Sequence, residues 1–358
     1  MCNIAGYTGN RRAAPILIEM LRREQYFDGG ICTGIATIHE GKLYHTKVVG
    51  NVDELLSKTD ALSFPGTVGI AHSRPLGNFL ASQAHPFIDA DEQLALVLNG
   101  VLSDVDTPEF VQLSHDIMQG FLDRSFPIRS AIEKSGKRLP LSNGLTYHGT
   151  EPYALMAGDN YKQGMPLHEA LGTALDTLPG DIVTLAIHVN EPGTIALGRV
   201  CRPMCVGLGD GETFLATSAL AFPEDVPLRN VLSAPTTSVS LVTPGGFAVT
   251  PFCFRNVSIQ DIDLSIWHKA YTLMENMLLG QKDNPKSFYD FPVDSNPDWK
   301  YLWKEPFVEC KYRQEDGFLK PYADLCYQLL YTFHQEGRLH SVLKEHKNGL
   351  LMVHFWLE

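Results

Sequence analysis

The chain has 358 residues, enough for about two domains that each bury a core, and its 44% hydrophobic and 20% charged residues are those of a globular protein. Lys and Arg number 29 against 41 Asp and Glu, a net charge of −12, so the chain lacks the positive footprint that phosphate backbones demand and no nucleic-acid partner is expected. No apolar run approaches the about 18 residues that span a bilayer, so no membrane insertion is expected either. The opening Met1-Cys2-Asn3-Ile4-Ala5-Gly6-Tyr7 has no basic stretch followed by an apolar one, so no secretory signal is read and the expected location is cytoplasmic.

In chain order, an N-terminal strand precedes an amphipathic helix over 14–20, where Ile16, Leu17, Met20 and Leu21 recur at helical spacing and Pro15 suits the first turn. Residues 34–39 and 43–49 read as two strands joined at Gly41, and 67–72 and 94–98 as two more. Between Asn99 and Thr150 lies an insertion with a helical part over 108–122 and a polar part over 124–143. Leu167, Leu171, Ala174, Leu175 and Leu178 mark another helix, followed by strands at 182–188, 194–197, 204–207 and 214–216. Helices and strands come in batches, which predicts an α+β protein of stacked antiparallel sheets and helices rather than an alternating wound fold.

The composition shifts near residue 258. All four tryptophans (267, 299, 303 and 356) follow it, and 280–298 reads as a polar, Pro-containing linker. The expected division is therefore 1–257 and 258–358. The end of the chain, 320–336, 339–346 and 350–356, reads as helix, helix, strand and resembles a winged-helix tail. Its net negative charge makes packing or homo-oligomer formation a better expectation than DNA reading.

Seven cysteines at 2, 32, 201, 205, 253, 310 and 326 include no C-x-x-C pair, and their odd number fits neither a disulfide framework nor a zinc site. Most are expected to be reduced core thiols. Cys2 differs, because removal of Met1 makes it N-terminal. An α-amine with a pKa of about 7.7–8.0 can then take the proton of a thiol whose pKa is about 8.5, so one residue supplies nucleophile and base. The alternative is a small buried residue opening an edge strand.

Cys2 is followed, in order, by Gly69-Ile70-Ala71-His72-Ser73-Arg74, Ala84-His85-Pro86-Phe87, Leu98-Asn99-Gly100 and Arg202-Pro203-Met204-Cys205-Val206-Gly207-Leu208-Gly209-Asp210-Gly211-Glu212. This series resembles the class II glutamine amidotransferases, which are N-terminal-nucleophile hydrolases, and most of all the glutaminase domain of glutamine:fructose-6-phosphate aminotransferase; the likeness covers about residues 1–255. The resemblance implies a four-layer αββα fold with a smaller, mainly helical C-terminal extension. It further implies that Cys2 attacks the side-chain amide of L-glutamine or a related amide, forms a thioester and releases ammonia. Asn99 and the Gly100 N–H would hold the oxyanion, and Arg74 would bind the substrate carboxylate through its planar fork. His72 and His85 are expected to support the pocket rather than act as base. No metal or organic cofactor is implied.

This chain also departs from the family pattern. After Arg74 the family's W-A-T-H-G becomes Pro75-Leu76-Gly77, two residues shorter, which alters the loop over the glutamine pocket. The family's T-D-T-E matches His148-Gly149-Thr150-Glu151, so Gly149 stands where an aspartate holds the substrate ammonium, and Glu151 or the inserted segment is left to compensate. Phe27 to Gly34 lacks the family's R-G-x-D-S order, and Cys32 there reads as a packing residue. The roughly 100 residues after 257 are too few for two sugar-isomerase modules of about 150 residues each. Ammonia would then go to a partner protein, to solution or to an acceptor bound by the tail. Two other readings stay open: a non-catalytic regulatory or binding module on the same fold, and a hydrolase of another γ-glutamyl or amide substrate.

Overall fold

The computed structural model describes residues 2–74, 80–102, 108–133, 138–252, 259, 262–291, 322–346 and 349–358. In chain order the elements are β1 (Asn3–Thr8), α1 (Ala13–Asp28), β2 (Cys32–His39), β3 (Lys42–Val49), α2 (Val52–Lys58), β4 (Val68–Arg74), β5 (Phe87–Ile88), β6 (Leu94–Leu102) and α3 (Pro108–Asp123). Then come α4 (Glu151–Lys162), α5 (Leu167–Thr177), β7 (Gly180–His188), β8 (Ile195–Arg199), β9 (Cys205–Leu208), β10 (Thr213–Ala216), β11 (Asn230–Ser233), β12 (Ser238–Thr243) and β13 (Gly246–Pro251). The last part holds α6 (Leu264–Leu278), β14 (Lys286–Ser287), α7 (Tyr322–Gln335), β15 (Leu339–Glu345) and β16 (Leu351–Leu357).

Two antiparallel sheets form the centre, one of seven strands in the order β11-β9-β10-β1-β4-β2-β3 and one of six in the order β13-β12-β8-β7-β6-β5. Side chains alternate across each strand, so each sheet has two apolar faces to bury. Ile4, Ala36 and Ile70 of the first sheet meet Val97, Val183, Leu185 and Leu197 of the second. On the outer face of the first sheet, Ala5, Tyr7, Ile35 and Ala71 pack under Leu17, Met20 and Leu21 of α1. On the outer face of the second, Leu96, Leu98, Ile182 and Ala186 pack under Met118 of α3, Tyr153 of α4 and Leu171 and Leu175 of α5. The stack is helix, sheet, sheet, helix, the four-layer αββα arrangement expected from the motifs. Strands β1, β4, β7 and β8 are buried along their whole length because both their faces are covered.

Local signals explain several elements. The side chain of Asn51 accepts from the Asp53 and Glu54 amides while Glu54 reaches back to the Asn51 amide, a capping box that starts the short α2. Helix α4 opens with Glu151 and has Pro152 in its first turn, where the missing N–H costs nothing. Residues 339–345 correct the expectation of a second helix near the end of the chain. They form β15, which pairs with β16, and the Gly349 amide donates to the His346 carbonyl. The apolar spacing of Leu339, Val342 and Leu343 suits a helix, but the adjacent Leu351–Leu357 strand offers a full ladder of backbone partners and tertiary pairing prevails. No helix among the described residues is long and apolar enough to cross a membrane.

The third sheet, in the order β14-β16-β15, and helices α6 and α7 have their own core, with Ile266, Met274, Leu325, Leu329, Phe333 and Phe355 packing around Phe27 from the end of α1. One buried ion pair joins this part to the stacked sheets. Arg199 Nη2 of β8 lies 3.0 Å from Asp324 Oδ2 of α7, with side-chain exposures of 1% and 5%. Ser233 bridges the two, accepting from Arg199 Nη1 at 2.7 Å and donating to Asp324 at 2.9 Å, and Arg199 also donates to the carbonyls of Ala234 and Cys201. Asp324→Ala leaves a guanidinium buried without its counter-charge, and we expect a loss of about 3–5 kcal/mol in unfolding free energy, measured by urea denaturation.

Candidate active site

Strand β1 begins beside β4, and the register Asn3↔Ser73 places Arg74 alongside Cys2. The facing sheet brings up β6, whose Asn99 is buried and grips the Cys2 backbone at both ends. The Cys2 amide donates to Asn99 Oδ1 at 3.0 Å, and Asn99 Nδ2 donates to the Cys2 carbonyl. These two bonds set the amide orientation of Asn99, because a backbone N–H only donates and a carbonyl only accepts. One hydrogen of Nδ2 remains for a further acceptor.

Gly100 follows with φ +140° and lies against β7. A Cβ there would stand 2.1 Å from the Asp181 carbonyl, so only glycine allows this approach of the two strands. Asp181 is itself held by Arg202, whose Nε lies 2.8 Å from Asp181 Oδ2 and 3.2 Å from the Asp181 carbonyl. Burial pushes the Cys2 thiol up, opposed by the positive charges of the N-terminus, Arg74 and Arg202.

Arg74 is buried, and its Nη1 lies 3.2 Å from His148 Nε2 while Nη2 approaches the Cys32 sulfur at 3.8 Å. His148 Nδ1 accepts from the Thr150 amide at 3.2 Å. A neutral imidazole has one lone pair, so with Nδ1 accepting, Nε2 carries the hydrogen and faces the guanidinium donor to donor. An anionic oxygen between them would satisfy both. His148 stacks on Phe87 with ring centroids 4.7 Å apart, and its backbone amide donates to Ser130 Oγ at 2.8 Å.

His85 Nε2 pairs with Thr150 Oγ1 at 3.1 Å, and its ring lies 3.9 Å from that of His72. Burial, with help from neighbouring positive charge, drives His72 down to about 3 and His85 and His148 well below the usual imidazole value, so all three rings are neutral near pH 7. Lys47 runs beneath them, donating to the Ala84 and Pro86 carbonyls, and burial lowers it to about 8.

The structure thus brings Cys2, Asn99, Gly100 and Arg74 into one centre and places His85, Gly149 and Thr150 beside it. Gly77 lies outside the described residues. Glu151 is turned elsewhere: its carboxylate accepts from the Arg129 amide at 2.6 Å and from the Ser130 amide and hydroxyl, closing the loop before α4. Burial raises its pKa, against the pull of these donors. Sequence reading missed His148, Asp181 and Lys47 as parts of the site and noted Arg202 only as a motif letter. The one signal for His148 was its place next to Gly149. Among the described residues no group of three or more His, Cys, Asp or Glu side chains is placed to hold a metal ion.

No protein-family model matches the chain. It is similar to the glutamine–fructose-6-phosphate aminotransferases of Pyrococcus horikoshii (29% identity over 224 residues, 62% of this chain and 33% of that protein) and Leifsonia xyli (28% over 269 residues, 74% and 39%). That of Methanothermobacter thermautotrophicus is 32% identical over 225 residues, again 62% of this chain and 33% of the relative. The chain thus spans only 33–39% of the length of these relatives. Among solved structures, the glutamine phosphoribosylpyrophosphate amidotransferase of B. subtilis superposes with a TM-score of 0.56 at 18% identity, over 77% of this chain and 58% of that one, a likeness of fold. In sequence the chain is similar to part of the glutamine–fructose-6-phosphate aminotransferases, and in fold it is similar to a glutamine amidotransferase.

Proposed function

We propose that the chain is an amidohydrolase that cleaves the side-chain amide of L-glutamine, or of a closely related amide, with Cys2 as nucleophile once Met1 is removed. The observation that carries this reading is the pair of hydrogen bonds between the Cys2 backbone and the Asn99 side chain. When the Cys2 amide becomes an α-amine, it keeps a hydrogen to give to Asn99 Oδ1 and gains a lone pair to take the thiol proton. The sulfur then adds to the amide carbon, and the oxyanion is stabilised by the second Nδ2 hydrogen of Asn99 and the Gly100 N–H. The amine returns its proton to the leaving nitrogen, ammonia departs and a thioester remains. Water, with the amine again as base, releases the carboxylic acid and regenerates the thiol.

Arg74 and the Nε2–H of His148 bind the substrate carboxylate, and His85, Thr150 and Gly149 shape the wall beside it. Glu151 supports that wall through residues 129 and 130 and does not hold the substrate ammonium. Residues 1–257 carry the chemistry and 258–358 form an extension. The order helix, strand, helix, hairpin, with β14 beside β16, supports a winged-helix-like topology for that extension, and the packing of α7 on the stacked sheets supports a structural role.

The deciding experiment is glutamate release from L-glutamine by protein whose mass shows Met1 removed. Cys2→Ala is expected to abolish release. Asn99→Ala is expected to lower kcat by about 100- to 1,000-fold with little change in KM, because the lost donor acts on charge present only in the transition state. No release by the processed protein over a wide range of glutamine and γ-glutamyl amides would overturn the reading.

The carboxylate clamp has a separate kinetic signature. His148→Ala should raise KM by about tenfold, equivalent to about 1.4 kcal/mol, and leave kcat within about twofold, because it removes a contact made equally in ground and transition states. A fall in kcat at unchanged KM would place His148 in the chemistry instead.

A further inference from the structure

The connection between β8 and β9 carries Arg202 to the nucleophile, and this stretch is unusually well fastened. The Val200 amide donates to the Ile182 carbonyl at 2.9 Å, and the Thr237 amide donates to the Val200 carbonyl at 3.0 Å. Arg199 Nη2 donates to the Cys201 carbonyl at 3.3 Å while the same guanidinium is held by Asp324. Three anchors therefore precede Arg202 within three residues, so its backbone is fixed from β7, from the loop before β12 and from the C-terminal extension.

From that mount Arg202 reaches back to Asp181, addressing both its carboxylate and its carbonyl through Nε. The Asp181 carbonyl is the atom against which Gly100 is seated, with no room for a methyl group. Movement of Asp181 is thus movement of β7, the strand against which Gly100 of β6 is seated. Arg202 is about one-fifth exposed, so its charge is only partly screened by solvent. The charged groups around Cys2 are Arg74 from β4, Arg202 from the β8–β9 connection with its partner Asp181 on β7, and the N-terminal amine; His72 of β4 is neutral.

We propose that Arg202 is a positioning residue of the nucleophile centre: it locks Asp181 under Gly100 and supplies part of the positive field at Cys2. Its two effects separate by substitution. Lysine keeps the charge and loses the planar guanidinium whose Nε addresses Asp181, whereas glutamine loses the charge and keeps a neutral amide donor.

The test pairs two readouts on protein lacking Met1. The first is the pH dependence of Cys2 alkylation by iodoacetamide, followed by peptide mass, which reports the thiolate without requiring turnover. The second is kcat and KM for amide release; this half rests on the amidohydrolase reading and the first does not. Arg202→Gln should move the alkylation profile toward higher pH by on the order of half a unit, since removal of a nearby positive charge disfavours thiolate. It should also lower kcat by about 10- to 100-fold with KM within about twofold. Arg202→Lys should leave the alkylation profile in place and still lower kcat. An alkylation profile unmoved in Arg202→Gln overturns the inference, as does a kcat equal to that of the unsubstituted protein in both variants. If the unsubstituted protein releases no ammonia at all, the amidohydrolase reading fails, and the alkylation shift alone decides the role of Arg202.

Discussion

The centre of this protein depends on a contact between its two sheets: the first strand of one must meet the middle of a strand in the other so that Asn99 can hold both ends of the Cys2 backbone. The two residues are 97 positions apart, and nothing local brings them together. The contact exists because Ile4, Ala36 and Ile70 on one inner face and Val97, Val183, Leu185 and Leu197 on the other remove a continuous apolar surface from water and set the two sheets face to face. Asn99 sits at the rim of that buried layer, where its polar amide has partners on the opposite sheet and therefore costs little to bury.

The same layering determines where charge can stand. Arg74, Asp181 and Arg199 are all nearly inaccessible; Asp181 is held by Arg202 from the β8–β9 connection and Arg199 by Asp324 from α7. A buried charge with such a partner specifies one arrangement of its elements, because any other leaves it desolvated and alone. Arg199 and Arg202 lie three residues apart on one strand end and its connection, so the anchor of the C-terminal extension and the support of Gly100 share a single short piece of backbone.

The histidine-rich wall follows from the same burial. His72, His85 and His148 are neutral there and serve as donors, acceptors and stacking surfaces. Arg74 provides the fixed positive charge on this side. The donor-to-donor contact of Arg74 with His148 suits an anionic oxygen as a third partner.

By itself the sequence determined the candidate nucleophile at its start and most of the strands. A cysteine after the initiator methionine, an Asn-Gly pair closing an apolar run, and arginine at the end of Gly69–Arg74 are local patterns, and apolar spacing over 14–20, 34–39, 43–49, 167–178, 182–188, 194–197, 204–207 and 214–216 marks those elements, with shorter bounds than the folded ones for the first helix. Tertiary structure decided what depends on partners distant along the chain. Residues 339–345 have helical spacing yet form a strand, because the neighbouring strand offers a ladder of hydrogen bonds. Glu151 looked able to face a substrate, but the amides of Arg129 and Ser130 fill its lone pairs first. His148 and Arg202 stand in short matched stretches, but nothing local says which groups they face. Their roles come from Arg74, 74 residues away from His148, and from Asp181, 21 residues away from Arg202, and only a packed interior brings such pairs within hydrogen-bond reach and excludes the water that would otherwise satisfy them.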